Sequence, residues 1–104
     1  MPDWNNKTTK SLMQAILKLK DETEAKKFFR DLLTEPELIE FGKRWQAAQM
    51  LDNNIPYSEI VQKTGLSSTT VARVSRWLTR GCGGYQLMLS RLHHANPSFG
   101  KRLA

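Results

Sequence analysis

One glycine constrains this chain more than any other residue. Gly65 lies between two short segments whose apolar residues recur at helical spacing. Ile60 and Thr64 are four residues apart before it, and Val71, Val74 and Leu78 recur at three and four after it. Each set marks one buried helix face. A tight break between two such helices wants a residue with φ > 0, which glycine takes without strain. Pro56 suits the first turn of the leading helix, where its missing N–H is not needed. Leu66 is the apolar plug of the turn, and Ser67 or Ser68 can cap the second helix by accepting from its unpaired N–H groups. The spacing over 57–78 therefore predicts a helix-turn-helix.

The exposed side of the second helix would carry Ser68, Thr69, Ala72, Arg73 and Arg76, all small, hydroxylic or cationic. Such a face can approach a major groove closely, donate to bases and phosphates, and touch a thymine methyl. With the helix entrance at Tyr57 and Ser58 and the turn residues Ser67 and Thr70, these positions form the expected DNA-binding set. A Gly-turn helical hairpin also occurs in domains that never meet DNA, so the charge distribution matters. All ten acidic residues fall at or before Glu59, where nine basic residues leave a net −1. From Ile60 to Ala104 there are Lys63, Arg73, Arg76, Arg80, Arg91, Lys101 and Arg102 and no acid, a net +7. The positive field is thus concentrated on the helix-turn-helix half, as a polyanionic partner requires.

The rest of the chain reads as further helix. Glycine and proline are sparse, and no segment alternates as a strand would. Residues 1–8 are expected to form a mobile arm, with Trp4 exposed or packed on a partner subunit. Leu12, Met13, Ile16, Leu17 and Leu19 outline a helix over 9–20. Asp21 is placed to cap a second helix through Leu33, with Ala25, Phe28, Phe29, Leu32 and Leu33 apolar. The two apolar faces exceed what one small monomer easily buries, which suggests a core shared between subunits; a hairpin packed on its own domain is the alternative. Thr34-Glu35-Pro36-Glu37 carries a capping box, Thr34 as cap and Glu37 returning the bond, with acidic side chains at the positive helix end. That helix should bury Leu38, Phe41, Trp45, Ala48 and Leu51 and stop at Asp52-Asn53-Asn54, since Asn tolerates left-handed φ. Arg44 lies beside this stripe, either solvated or lining a cleft against the recognition helix. After Leu78 a glycine-rich break leads to a last helix over 85–94. Residues 96–104 read as a flexible basic tail.

Several functions lack the residues they need. The single Cys82 excludes an internal disulfide and fits a reducing, cytoplasmic setting. No apolar run approaches the roughly 18 residues of a membrane span. Cys82 with His93 and His94 lacks an orienting third group for nucleophilic catalysis. Zinc would need more Cys or His at ligand spacing. The glycines after Arg80 lack the Lys and Ser/Thr of a phosphate-binding loop. No enzyme activity, metal or cofactor is expected.

These segments resemble the Trp repressor superfamily, in particular its Trp-repressor-like YerC/YecD branch. The resemblance rests on Leu-Thr-x-x-Glu from Leu33, on Phe41-Gly42-Lys43-Arg44-Trp45 and on Thr70-Val71-Ala72-Arg73. It extends to Leu19-Lys20-Asp21 and to Phe28-Phe29-Arg30-Asp31-Leu32-Leu33. It implies an all-α, six-helix domain spanning residues 1–104, assembled as an intertwined homodimer on double-stranded operator DNA. The implied role is that of a sequence-specific transcriptional regulator, a repressor. The family's effector pocket maps onto Arg44, Arg73, Val74 and Trp77. Its next two positions after the second arginine, Gly and Ser, are here Val74 and Trp77, so free L-tryptophan is not expected to fit. A helical protein-interaction domain or a non-specific nucleic-acid coater is the competing expectation.

Overall fold

The computed structural model describes residues 3–95, which form six α-helices and no strand. They are α1 (Lys7–Ile16), α2 (Glu22–Leu32), α3 (Glu35–Asp52), α4 (Tyr57–Thr64), α5 (Ser68–Arg80) and α6 (Gly84–Ala95). The chain divides into two compact units, with the boundary between Leu38 and Ile39 inside α3. The expected tail at 96–104 lies outside the described residues.

The first unit starts its helix earlier than the apolar stripe predicts. Helix α1 begins at Lys7, and Asp3, Trp4 and Asn6 ahead of it take part in hydrogen bonds. The Asn6 side chain accepts from Thr9 N–H and the Thr9 hydroxyl oxygen accepts from Asn6 N–H, both at 3.0 Å. Asn6 Nδ2 donates to the Asp3 carbonyl at 2.7 Å, and the Thr9 hydroxyl donates to that of Trp4. A reciprocal Asn–Thr cap does the work of a Ser/Thr–Glu box and starts the helix before its apolar stripe begins. The far end is also earlier than the pattern predicts, at Ile16 rather than Lys20. Lys18 and Leu19 donate to carbonyls three residues back, the tightened last turn common at helix ends. Lys20 N–H is taken by the Glu24 carboxylate at 3.0 Å, which commits it to the entrance of α2. There Asp21 caps as expected, accepting from Glu24 N–H at 2.8 Å. Phe28 and Phe29 meet edge to face with centroids 5.7 Å apart. No residue of α1 or α2 is fully buried, and Leu17 is 81% exposed.

The capping box of α3 forms as predicted. Thr34 N–H donates to Glu37 Oε1 at 2.9 Å and Glu37 N–H to the Thr34 hydroxyl at 3.3 Å. The bond to the carboxylate holds the Glu37 pKa below its ordinary value. At the other end Asn54 takes φ +60°, and Ile55 N–H closes on the Met50 carbonyl at 3.0 Å.

The second unit contains the core. Ala47 and Ala48 of α3, Ile60 of α4, Leu66 of the turn, and Val71 and Val74 of α5 are buried together. The two alanines let neighbouring elements approach α3 closely, and the branched residues fill the space. Trp45, Met50, Leu51, Ile55, Val61 and Tyr85 pack around this cluster. Phe41, expected inward, is instead about half exposed. Its ring serves Arg44 rather than the core, as described below. Helix α5 packs against both α4 and α6.

Candidate nucleic-acid interface

Helix α4 ends where the sequence places the turn. Gly65 adopts φ +77°, and its N–H donates to the Val61 carbonyl at 2.9 Å. A buried threonine braces the same turn. The Thr64 hydroxyl donates to the Ile60 carbonyl at 2.7 Å and accepts from Leu66 N–H at 3.1 Å. The sequence marks Thr64 only as a member of the inward face. Its pairing role had no separate signal, because a hydroxyl that satisfies a turn and one that faces solvent look alike in sequence. Of the two serines offered as cap, Ser67 takes the role: its oxygen accepts from Thr70 N–H at 3.1 Å.

Helix α5 presents the expected face. Ser68, Thr69, Ala72, Arg73 and Arg76 are exposed, while Val71 and Val74 on the opposite side are fully buried. Tyr57 and Ser58 are exposed at the start of α4, Ser67 is exposed at the turn, and Thr70 is half-buried. Among the described residues neither Arg73 nor Arg76 has an ion-pair partner. Both guanidinium groups therefore keep all their donors for an incoming anion.

Two features extend this face beyond the sequence reading. Helix α5 runs to Arg80, past the expected end at Leu78, so Arg80 joins the exposed cationic side. The stop is set at Gly81, whose N–H donates to the Trp77 carbonyl at 2.9 Å. A Cβ at Gly81 would lie 2.3 Å from that carbonyl oxygen, so no larger residue fits without moving backbone. Gln86 of α6 then donates to the Leu78 carbonyl at 2.6 Å, which ties the next helix to this end. The second feature is Lys43 of α3. Its ammonium lies 3.7 Å from where a Gly65 Cβ would stand, adding a cation beside the carbonyl end of α4. Nothing in the local pattern around Lys43 marks that tertiary approach.

The four positions of the expected effector pocket differ in burial and in contacts. Val74 is fully buried in the core, and Arg73 points to the exposed face. Arg44 and Trp77 do meet. The Arg44 guanidinium carbon lies 5.8 Å from the Trp77 ring centroid and 5.7 Å from that of Phe41. Arg44 Nε is 3.5 Å from Glu40 Oε2. This nitrogen is buried and makes no hydrogen bond, so the pair is one of proximity without donor alignment. Beyond Trp77 an apolar groove of about 550 Å³ runs past Trp45, Tyr85 and Met88 to Gly81 and Cys82. Trp45 and Tyr85 stack with centroids 6.3 Å apart. Burial raises the Tyr85 pKa, opposed in part by the charge of Arg44. Cys82 is exposed. No cluster of His, Cys, Asp or Glu among the described residues could hold a metal, and no described helix is long and apolar enough to cross a membrane.

Comparison with known proteins agrees with this architecture. The uncharacterised protein YerC of Bacillus subtilis (strain 168) is 38% identical over 81 residues, covering 78% of each chain. A TrpR-like protein from Eubacterium eligens superposes with a TM-score of 0.82 at 39% identity, over 86% of this chain and 92% of its own. A candidate Trp repressor from Staphylococcus aureus superposes with a TM-score of 0.80 at 34% identity, over 85% of this chain and 88% of its own. Residues 7–93 match the Trp repressor protein family, and the chain is a member of that family.

Proposed function

We propose that this protein is a sequence-specific DNA-binding transcriptional regulator, a repressor, that places α5 in the major groove. The observation that carries the reading is the outward face of α5. Two arginines without ion-pair partners among the described residues, and a run of small hydroxylic residues, stand beyond a left-handed glycine turn. They stand in a half of the chain that holds no acid after Glu59. Arg73 and Arg76 divide the work, one reading a base edge and the other holding phosphate. Tyr57, Ser58, Ser67, Ser68, Thr69 and Thr70 supply the surrounding backbone contacts, and Ala72 allows close approach.

The working form is an intertwined homodimer. In a single chain Met13, Leu17, Leu32, Ile39, Phe41, Leu87 and Met88 are all exposed by 45% or more. Large apolar side chains left open in this way are what a second copy of the chain would cover. Two-fold pairing would set the two recognition helices one helical turn of duplex apart, about 34 Å.

The test is selection of a binding site from random duplexes, followed by competition with bulk DNA as salt rises. A specific regulator keeps one preferred site against excess competitor, whereas a non-specific coater loses all sites together. A helical protein-interaction domain would select none.

A further inference from the structure

Arg44 lies between the third helix and the recognition helix. Its guanidinium is bracketed by the rings of Phe41, from its own helix, and Trp77, from α5, at 5.7 and 5.8 Å. Glu40 flanks it from the preceding turn at 3.5 Å. The group is thus positioned from within α3, and among the described residues it reaches across by ring contact to α5. Indole is the strongest of the aromatic faces for a cation. Trp77 follows Arg73 by one helical turn and Arg76 by one residue. A contact at Trp77 therefore acts, together with the buried Val71 and Val74, on the rotation of the DNA-facing part of α5 about its own axis. A roll of about 20° moves a side chain at ~6 Å from the helix axis by ~2 Å, enough to break a hydrogen bond to a base.

We infer that Trp77 acts as a built-in ligand of Arg44 that sets the pose of the recognition helix, so that DNA binding needs no small-molecule corepressor. The inference rests on the DNA-binding reading above and adds how that site is regulated. Val74 agrees with it. This side chain, one residue past Arg73, is fully buried in the core, so no slot stands open there for a planar ligand to enter. A ligand shifts an equilibrium only by its differential affinity for two states, and a helix already held in one state offers it little to shift.

Trp77 is 41% exposed and outside the buried cluster, so substitutions there leave Val71 and Val74 in place. The experiment measures affinity of the whole protein for the duplex selected by the wild type, with and without L-tryptophan. Wild type should bind tightly without the amino acid and change less than twofold on its addition. Trp77→Ala and Arg44→Ala should each weaken binding by roughly three- to tenfold, the range of a partly desolvated cation–π contact. The double variant should be no weaker than either single one, because both remove the same contact. Trp77→Phe keeps a π face and should bind nearly as wild type. Trp77→Leu keeps apolar bulk without one and should bind as Trp77→Ala. This Phe–Leu split separates positioning from mere packing even where the alanine variant is unstable. Equal binding by the Phe and Leu variants, additive losses in the double variant, or a tenfold gain with L-tryptophan in the wild type would each overturn the inference while leaving DNA binding intact. Failure of the wild type to select any site overturns both.

Discussion

Replacing Thr64 by Val tests how the turn is held. The substitution keeps the shape of a buried side chain, 5% exposed, and removes one hydroxyl. That hydroxyl makes two bonds, donating to the Ile60 carbonyl at 2.7 Å and accepting from Leu66 N–H at 3.1 Å. The two losses are unequal. The Ile60 carbonyl retains the main-chain helical bond from residue 64, whereas the Leu66 N–H loses its acceptor in a buried turn. An unsatisfied buried donor costs about 1–3 kcal/mol, and the extra apolar group returns at most about 0.8 kcal/mol. The net expectation is a loss of about 1–2 kcal/mol, or roughly 4–16 °C in Tm for a domain of this size. Urea unfolding gives the free energy, and amide exchange followed residue by residue gives the cause. In Thr64→Val the Leu66 amide should lose its protection, while Thr64→Ser, which keeps the hydroxyl, should retain it. A valine variant as stable as wild type, with Leu66 still protected, would refute the claim that this hydroxyl braces the turn.

Three further outcomes follow from particular residues. Gly81→Ala forces a Cβ to within 2.3 Å of the Trp77 carbonyl oxygen and should cost about 1–3 kcal/mol by distorting the end of α5, read by urea unfolding. Glu37 has a folded pKa below its ordinary 4.5, so its cap stabilises the protein fully above the unfolded value and fades as pH falls through the folded one. The stability gap between wild type and Glu37→Gln should therefore be widest near neutrality and close on acidification, and a constant gap would contradict the cap. Sedimentation should show a species of twice the chain mass, shifted toward monomer by Leu17→Asp; a well-folded wild-type monomer would contradict the dimer.

How far the sequence was legible depended on whether a feature is local. Asp21, the Thr34–Glu37 box, the Asn54 stop and the Gly65 turn all form where their residues predict, because a cap or turn is decided within a few residues. The start of α1 differs from the pattern for a local reason of another kind: Asn6 and Thr9 make a reciprocal cap, and the apolar stripe begins after it. Its end was misread because Lys20 is claimed by the next helix through Glu24. In the candidate site the exposed face of α5 was legible from periodicity alone. The sequence leaves Arg44 open between solvent and a cleft against the recognition helix, and the structure sets it half-buried against the ring of Trp77 in that helix. The stripe position of Phe41 predicts an inward ring because an aromatic there usually packs in the core, whereas here it supports a cation. Lys43 beside Gly65 could not be read at all, since only the packing of α3 near the turn brings them together.

The central claim, that α5 reads DNA through its arginines, is tested most directly by titrating Arg73→Ala and Arg76→Ala on the selected duplex and on single-base variants of it. One substitution should cost about 1–3 kcal/mol and relax preference at one position of each half-site. The other should weaken all sequences alike and reduce the salt slope by about one. Unchanged affinity and unchanged preference in both variants would contradict the placement of α5 in the groove.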